Sequence, residues 1–219
     1  PTLTQDGVSG ALADPFLSVF DSKGKVLWNN NNWKDSQQAE IEATGLEPTN
    51  DLESAIVQAL EPGKYTAILS GRNSTSGIGL VEVYDLSPSF PLRAQLTNVS
   101  TRGFVGTGQA VMIGGFIAGG GSNSIQVLVR GLGPSLTQHG VSGALANPIL
   151  SLFDSNGNVL RNNNNWKDSQ QAGIQATGLA PPNDFESAIL QDLGPGNYTA
   201  ILSGRNNTTG IGLVEIYRL

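Results

Sequence analysis

Few side chains in this sequence could carry out catalysis. Among 219 residues there is one histidine, His139, and no cysteine, so a Cys-His pair is excluded and a Ser-His-Asp triad would depend on one imidazole. Carboxylate pairs that hydrolyse glycosides could come from Glu42, Asp51, Glu53 and Glu82. However, Glu53 and Glu82 fall at ordinary outward positions of predicted strands. We therefore predict no catalytic residues.

Oxygen ligands are more plentiful, and their types suit calcium, which binds carboxylate and amide oxygens. The competing interpretation is that Asn and Asp stand there because they hydrogen-bond to their own backbone in turns. Calcium is the one cofactor that the sequence allows, and no other is predicted. The candidate ligands are Asp21, Asn29 and Asp35, with Asp154, Asn162 and Asp168 at the equivalent positions further along the chain.

Two tryptophans follow runs of asparagine and could bind a carbohydrate. Trp33 and Trp166 could stack on a sugar ring, while Asn31 and Asn164 hydrogen-bond to its hydroxyl groups. A lone tryptophan beside a hairpin more often caps the end of a β-sandwich core, and this is the competing interpretation.

The composition excludes several classes of function. A net charge of -6 and a pI near 4.7 argue against nucleic acid as a partner, because that binding requires a basic surface. No apolar run reaches the roughly 18 residues of a membrane helix, so no membrane span is predicted. Charged residues make up only 14% of the chain, and glycine and asparagine are frequent, as in all-β proteins with many turns.

The chain consists of one unit written twice. Residues 1–86 recur as residues 134–219 without insertion or deletion, and the stretch NNNNWKDSQQA is unchanged between them. Self-similarity on this scale indicates two copies of one structural unit. We call them the first and the second copy, and residues 87–133 the connector.

Each copy is predicted to contain five strands and a short helix. Residues 16–28 indicate a β-hairpin around a tight turn, and residues 35–45 indicate about two helical turns that end at a glycine. Residues 53–60, 65–70 and 78–86 supply three further strands, the first two joined by a Pro-Gly turn. A tyrosine after this turn, Tyr65 or Tyr198, is expected to tie the turn through its hydroxyl group.

The connector is predicted to be structured. Residues 93–105, 109–118 and 124–132 have the alternating, β-branched content of three strands, with Ile125, Val127 and Val129 on one face. Five strands and three strands make a complete sandwich or jelly roll of ordinary size. The predicted fold class is therefore all-β, with two tandem jelly-roll or β-sandwich units.

One connector must serve two copies, so the first copy is predicted to be incomplete. An unpaired sheet edge above an open core is a liability that proteins do not leave exposed. Either a longer parent protein supplies the missing strands upstream, or a neighbouring subunit supplies them by strand addition. The candidate donor strand comprises Ser124, Ile125, Gln126, Val127, Leu128, Val129 and Arg130.

Three motifs carry a resemblance to a known family. LSVFDSKGKVLWNNNNW, ESAIVQALEPGKYTAILSG and GIGLVEVYDL, in this order, resemble the bacterial pre-peptidase C-terminal type of β-sandwich module. The whole unit also looks like tandem repeats of very large secreted bacterial surface proteins. The resemblance implies a secreted, non-catalytic jelly-roll module with an accessory or adhesive role. Related collagen-binding members hold calcium with a dense carboxylate cluster, which has no match in this sequence.

We therefore predict a non-catalytic extracellular or cell-surface protein with a structural or adhesive role. In the preferred form it is a subunit of a filament or array in which copies of the chain are joined by strand complementation. In the alternative it is a carbohydrate- or protein-binding accessory module of a large secreted hydrolase, with an extracellular glycan or a matrix protein as its partner.

Overall fold

The computed structural model describes residues 1–86, 96–119 and 124–219, and the chain divides into two units, Pro1–Gln95 and Leu96–Leu219. Antiparallel β-sheets with a few short helices form both units, which confirms the predicted all-β class. The strands formed by the connector belong to the second unit, together with the second copy.

The first unit is a small sheet with short helical turns. Its strands are β1 (Pro15–Phe20), β2 (Val26–Asn30) and β3 (Thr66–Gly71), its α-helices are α1 (Thr2–Gln5) and α2 (Gln38–Glu42), and 3-10 turns occupy Trp33–Asp35 and Arg72–Ser74. The strand order is β2-β1-β3. The hairpin, the helix and the strand after the Pro-Gly turn are thus present as predicted.

The second unit is a sandwich of two four-stranded sheets. Its elements are β4 (Asn98–Val105), β5 (Met112–Ala118), β6 (Ile125–Leu132), β7 (Pro148–Phe153), β8 (Val159–Asn163), α3 (Gln171–Ala176), β9 (Ser187–Leu193), β10 (Gly196–Gly204) and β11 (Gly210–Arg218), with 3-10 turns at Pro134–His139 and Arg205–Asn207. One sheet has the order β5-β10-β7-β8, and the other has the order β4-β11-β6-β9. The connector thus contributes β4, β5 and β6, which we call the connector strands.

The core of the second unit lies between these two sheets. Val129, Ile189 and Val214 from one sheet pack with Leu150, Leu152 and Leu202 from the other, and all six are fully buried or nearly so. The predicted face of β6 is correct, because Val127 and Val129 are buried in this core and Ile125 packs against it. The opposite face of β6 is also covered, since Leu128 packs against Trp166 and Ile174.

The strands that the two copies share have the same register. Leu17 pairs with Asn30 as Leu150 pairs with Asn163. The pairing register shifts at the same place in both hairpins, just before Phe20 and just before Phe153. Pro15 pairs with Gly71 as Pro148 pairs with Gly204. The sheet β2-β1-β3 is therefore the sheet β8-β7-β10 without its fourth strand, β5.

Two strands predicted in the first copy are absent, and these predictions were wrong. Residues 53–60 and 78–86 form no strand, although their counterparts in the second copy are β9 and β11. In the second unit β11 lies between β4 and β6, and β9 pairs only with β6. A strand requires a neighbour for its hydrogen bonds, and the first unit has no counterpart of β4 or β6 among its described residues. Of the strand predicted over residues 93–105, residues 93–95 lie outside the described residues.

A buried carboxylate joins the end of β6 to the start of β9. Glu186 is fully buried, and its Oε1 accepts hydrogen bonds from the backbone N–H groups of Gly133 and Ser135, each at 3.0 Å. The Ser135 hydroxyl donates to the same oxygen, and the Asn183 N–H donates to Oε2 at 3.2 Å. In the first copy Glu53 is partly exposed and accepts from Thr2 N–H at 2.8 Å.

Replacing Glu186 with alanine should destabilise the second unit strongly. The change leaves the buried N–H groups of Gly133 and Ser135 without an acceptor, together with the partly buried N–H of Asn183, and each buried group costs about 1–3 kcal/mol. We expect the free energy of unfolding in urea to fall by about 3 kcal/mol or more. Glu53→Ala is the matched control and should cost less, because its site is open to water. Equal losses in the two variants would contradict this account.

Candidate functional site: the open face of the first copy

Apolar side chains that the second copy buries are exposed in the first copy. Val81 is 39% exposed, whereas its counterpart Val214 is 1% exposed. Leu60 is 44% exposed, whereas its counterpart Leu193 is 3% exposed. We define the open face by five residues whose counterparts lie in or against the core of the second unit: Leu60, Tyr65, Ala67, Val81 and Val83.

The backbone beside the open face lacks partners as well. Residues 79–84 make no backbone hydrogen bond to any residue in the described ranges, whereas residues 213–217 pair with β6 on one side and β4 on the other. The N–H and C=O groups of this segment are therefore available to an added strand. The first copy presents both an apolar surface and an unpaired backbone.

Side-chain amides hold residues 53–60 near their place without a ladder. The Asn30 Oδ1 accepts a hydrogen bond from Ala55 N–H at 3.0 Å, and Gln37 Nε2 donates to the Val57 carbonyl at 2.8 Å. In the second copy Asn163 does the same for Ala188 at 2.9 Å. There the amides bind the outer edge of β9 while β6 pairs with its inner edge. The first copy thus keeps the support for this segment and lacks its partner strand.

Sequence reasoning missed Asn30, Gln37 and their counterparts Asn163 and Gln170. A run of four identical asparagines does not show which one turns inward. Gln37 and Gln170 adopt left-handed backbone conformations, with φ of 58° and 60°, which cost a non-glycine residue about 1–3 kcal/mol. The hydrogen bonds from their side-chain amides to the neighbouring segment hold them in this conformation.

A cluster of polar side chains lies on the outer face of the sheet that contains β6. Arg130 donates to Glu215 from two of its guanidinium nitrogens, to the Leu179 carbonyl at 2.8 Å and to the Tyr217 hydroxyl at 3.0 Å. Its guanidinium group lies 5.1 Å from the centre of the Tyr217 ring. The Arg130 and Glu215 side chains are each 13% exposed. The pKa of Tyr217 is raised, because burial and the negative charge of Glu215 outweigh the opposing effect of Arg130.

The first copy contains one half of this cluster. Tyr84 donates to Glu82 at 2.9 Å, as Tyr217 donates to Glu215. Tyr84 is 47% exposed, and the hydrogen bond to Glu82 raises the pKa of its hydroxyl group. The arginine would come from a strand equivalent to β6, which the described part of the first unit does not contain.

The candidate calcium ligands form turn and cap interactions. Asp21 Oδ1 accepts from the N–H groups of Lys23 and Lys25, and Asp154 accepts from both the backbone and the side chain of Asn158. These bonds, with the Asn158 side chain as the largest contributor, lower the pKa of Asp154. Two further candidates, Asp35 and Asp168, accept from the side chains of Asn32 and Asn165, and the last two, Asn29 and Asn162, are exposed on β2 and β8.

Calcium binding therefore stays a prediction. Within the described residues, no three His, Cys, Asp or Glu side chains come together as a metal site would require.

Trp33 and Trp166 are buried, each with 4% of its surface exposed. Trp166 packs in the cluster under α3, and Lys167 lies 5.3 Å from the centre of its ring. A sugar could not stack on either ring without a rearrangement. Asn31 and Asn164 are half-buried next to these rings. Carbohydrate binding through these four residues stays a prediction to which the structure adds no support.

The proposed donor strand lies inside the second unit. Residues 125–132 form β6, and Leu128 and Val129 within it are fully buried. Donating this strand to another chain would open the second copy. His139 is exposed at the end of a 3-10 turn. The helices in the described ranges are all short, and none has the length and hydropathy of a membrane span.

Comparisons with known proteins give a match among solved structures. A scan against protein-family models matched none, and a search of curated proteins found no similar sequence. Among solved structures, the chain is similar to the pre-peptidase C-terminal domain of a collagenase from Bacillus anthracis. The two share 11% identity over 55% of this chain and 89% of that chain, with a TM-score of 0.35. This is the type of module that the sequence motifs resemble, and at these values the likeness leaves the function to be argued from the residues.

Aspartate at two equivalent positions should have very different effects on stability. Val214→Asp buries an unpaired charge in the core and should lower the free energy of unfolding by about 3 kcal/mol or more. Val81→Asp places the same charge on an exposed surface and should change it by less than about 0.5 kcal/mol. Urea unfolding of the whole chain measures both. A similar large loss in the two variants would show that the first copy is closed in solution.

Asn163→Ala should destabilise the second unit by about 1–3 kcal/mol, because Ala188 N–H then loses its acceptor. Asn162→Ala is the matched control at the adjacent, exposed position and should stay within about 0.5 kcal/mol of the unmodified chain. Thermal or urea unfolding distinguishes them. If Asn162→Ala is the more damaging change, the exposed asparagines have a role that these contacts do not supply.

Proposed function

We propose that this protein is a non-catalytic structural or adhesive component of an extracellular assembly, a filament or surface array whose repeats are joined by β-strand complementation. The first copy is the acceptor, and the strands it accepts are of the same kind as β4, β5 and β6. One observation carries the proposal: Val81 is 39% exposed and its counterpart Val214 is 1% exposed, and the connector strands are what the second copy has in addition.

The energetics favour strand addition at this surface. Burying one large apolar side chain contributes about 1.5–3 kcal/mol, and the open face offers Leu60, Val81 and Val83 together with Tyr65. An added strand would also pair with the free backbone of residues 79–84, and such pairing is the usual source of affinity in strand addition. The alternative role in carbohydrate binding is less favoured, because Trp33 and Trp166 are buried.

The assembly role can be tested by adding one more connector. A chain extended after Leu219 with a second copy of residues 87–133 repeats the sequence junction that follows Leu86. It then carries a spare set of strands at one end and an acceptor at the other. We expect head-to-tail filaments by negative-stain electron microscopy and a rising mass by light scattering.

Two substitutions separate specific assembly from general stickiness. Val81→Asp in the extended chain should abolish the filaments, because it places a charge on the open face. Leu52→Asp should leave them intact, since Leu52 is 48% exposed in a turn outside the open face. Monodisperse monomers of the extended chain, or filaments that survive Val81→Asp, would contradict the proposal.

A further inference from the structure

We infer that the first copy is specific for a strand with arginine followed by glycine, as Arg130 and Gly131 stand in β6, so that its partner is the strand set of another copy of this repeat. The inference rests on the proposed function and goes beyond it by naming what the acceptor recognises. Two independent features of the first copy carry it, the carboxylate of Glu82 and the packing around Leu69 and Ser54.

The first feature selects arginine. In the second unit the Glu215 carboxylate accepts two guanidinium N–H groups of Arg130, and both side chains are largely buried. Glu82 and Tyr84 repeat Glu215 and Tyr217 and are already hydrogen-bonded to each other. An added strand without a cation at this position would bury the Glu82 carboxylate unpaired, which is strongly unfavourable. Lysine would not reproduce the fork of donors that reaches a carboxylate, a tyrosine and a carbonyl together.

The second feature disfavours a side chain at the next position. A Cβ atom on Gly131 would lie 2.5 Å from Leu202 Cδ1 and 2.8 Å from Ser187 Oγ, so the ends of both side chains would have to shift. The first copy has the same residue types at the equivalent positions, Leu69 and Ser54. A larger residue in the added strand would therefore have to displace these two side chains.

Gly133, the residue just before the second copy, is restricted more strongly. A Cβ on Gly133 would lie 2.1 Å from the Leu145 carbonyl oxygen, which is backbone and cannot move aside as a flexible side chain can. Leu12 is the equivalent residue of the first copy and is buried. The recognised pattern is thus Arg-Gly-x-Gly, which in the second unit leads directly into Pro134.

The partner must be additional to the connector strands that the chain already uses. The described residues contain one set of these strands and two copies that require them. If two identical chains exchanged their connector strands, one copy in each chain would still be without such strands. The occupant is therefore a further set of the same strands, from another repeat.

The test places residues 96–133 directly before Pro1, which reproduces the Gly133–Pro134 junction at the first copy. Amide hydrogen exchange of residues 78–84 reports whether the first copy has closed, and residues 211–217 are the internal control. We expect exchange of residues 78–84 to slow by about tenfold or more. Arg130→Glu in the added segment should abolish this protection, and Glu82→Arg combined with it should restore part of it.

Gln126→Glu in the added segment is the matched control, because it brings in the same charge at an exposed position of the strand. It should leave the protection unchanged, whereas Gly133→Val in the same segment should remove it. Protection that persists equally with Arg130→Glu would overturn the inferred specificity and leave the acceptor proposal standing. If the unsubstituted added segment gives no protection, the acceptor proposal itself fails.

Discussion

The pairing of β6 with its two neighbours is the interaction on which the rest of the structure depends. β6 lies between β11 and β9, and it fills the core with Val127 and Val129 on one face and covers Trp166 with Leu128 on the other. Its end is also tied to the start of β9 through Glu186. Where β6 is present, a sandwich of two four-stranded sheets forms. In the described part of the first unit, which contains no equivalent of β6, there is one three-stranded sheet.

The two copies allow the secondary structure of equivalent segments to be compared within one molecule. Their sequences are nearly the same, so intrinsic propensities cannot explain why β11 is a strand and residues 78–86 are not. Non-local pairing decides the difference, because a strand forms only where its hydrogen-bonding groups find neighbours. Asn30 and Gln37, like their counterparts Asn163 and Gln170, bind the same segment of their own copy through hydrogen bonds that do not involve the connector. The first copy is therefore preorganised where its contacts lie within the copy and open where it depends on connector strands.

The local elements could be predicted from sequence, and the non-local ones only in part. The hairpin around Asp21 and Gly24 and the shortage of connector strands follow from turn residues, alternation and the repeat. The inward turn of Asn30 could not be read from four consecutive asparagines. The cluster of Arg130, Glu215 and Tyr217 depends on the register between strands far apart in the chain, which alternation does not fix. The sequence allows either sugar stacking or core packing for the two tryptophans, and burial of both rings agrees with core packing.

Amide hydrogen exchange on the unmodified chain tests the central claim most directly, because the two copies report on each other in one sample. The account predicts that residues 79–84 exchange at nearly unprotected rates, while residues 212–217, of almost identical sequence, are protected by about a thousandfold or more. Comparable protection of the two segments would contradict it, since the first copy would then have found partners for its strands within the chain.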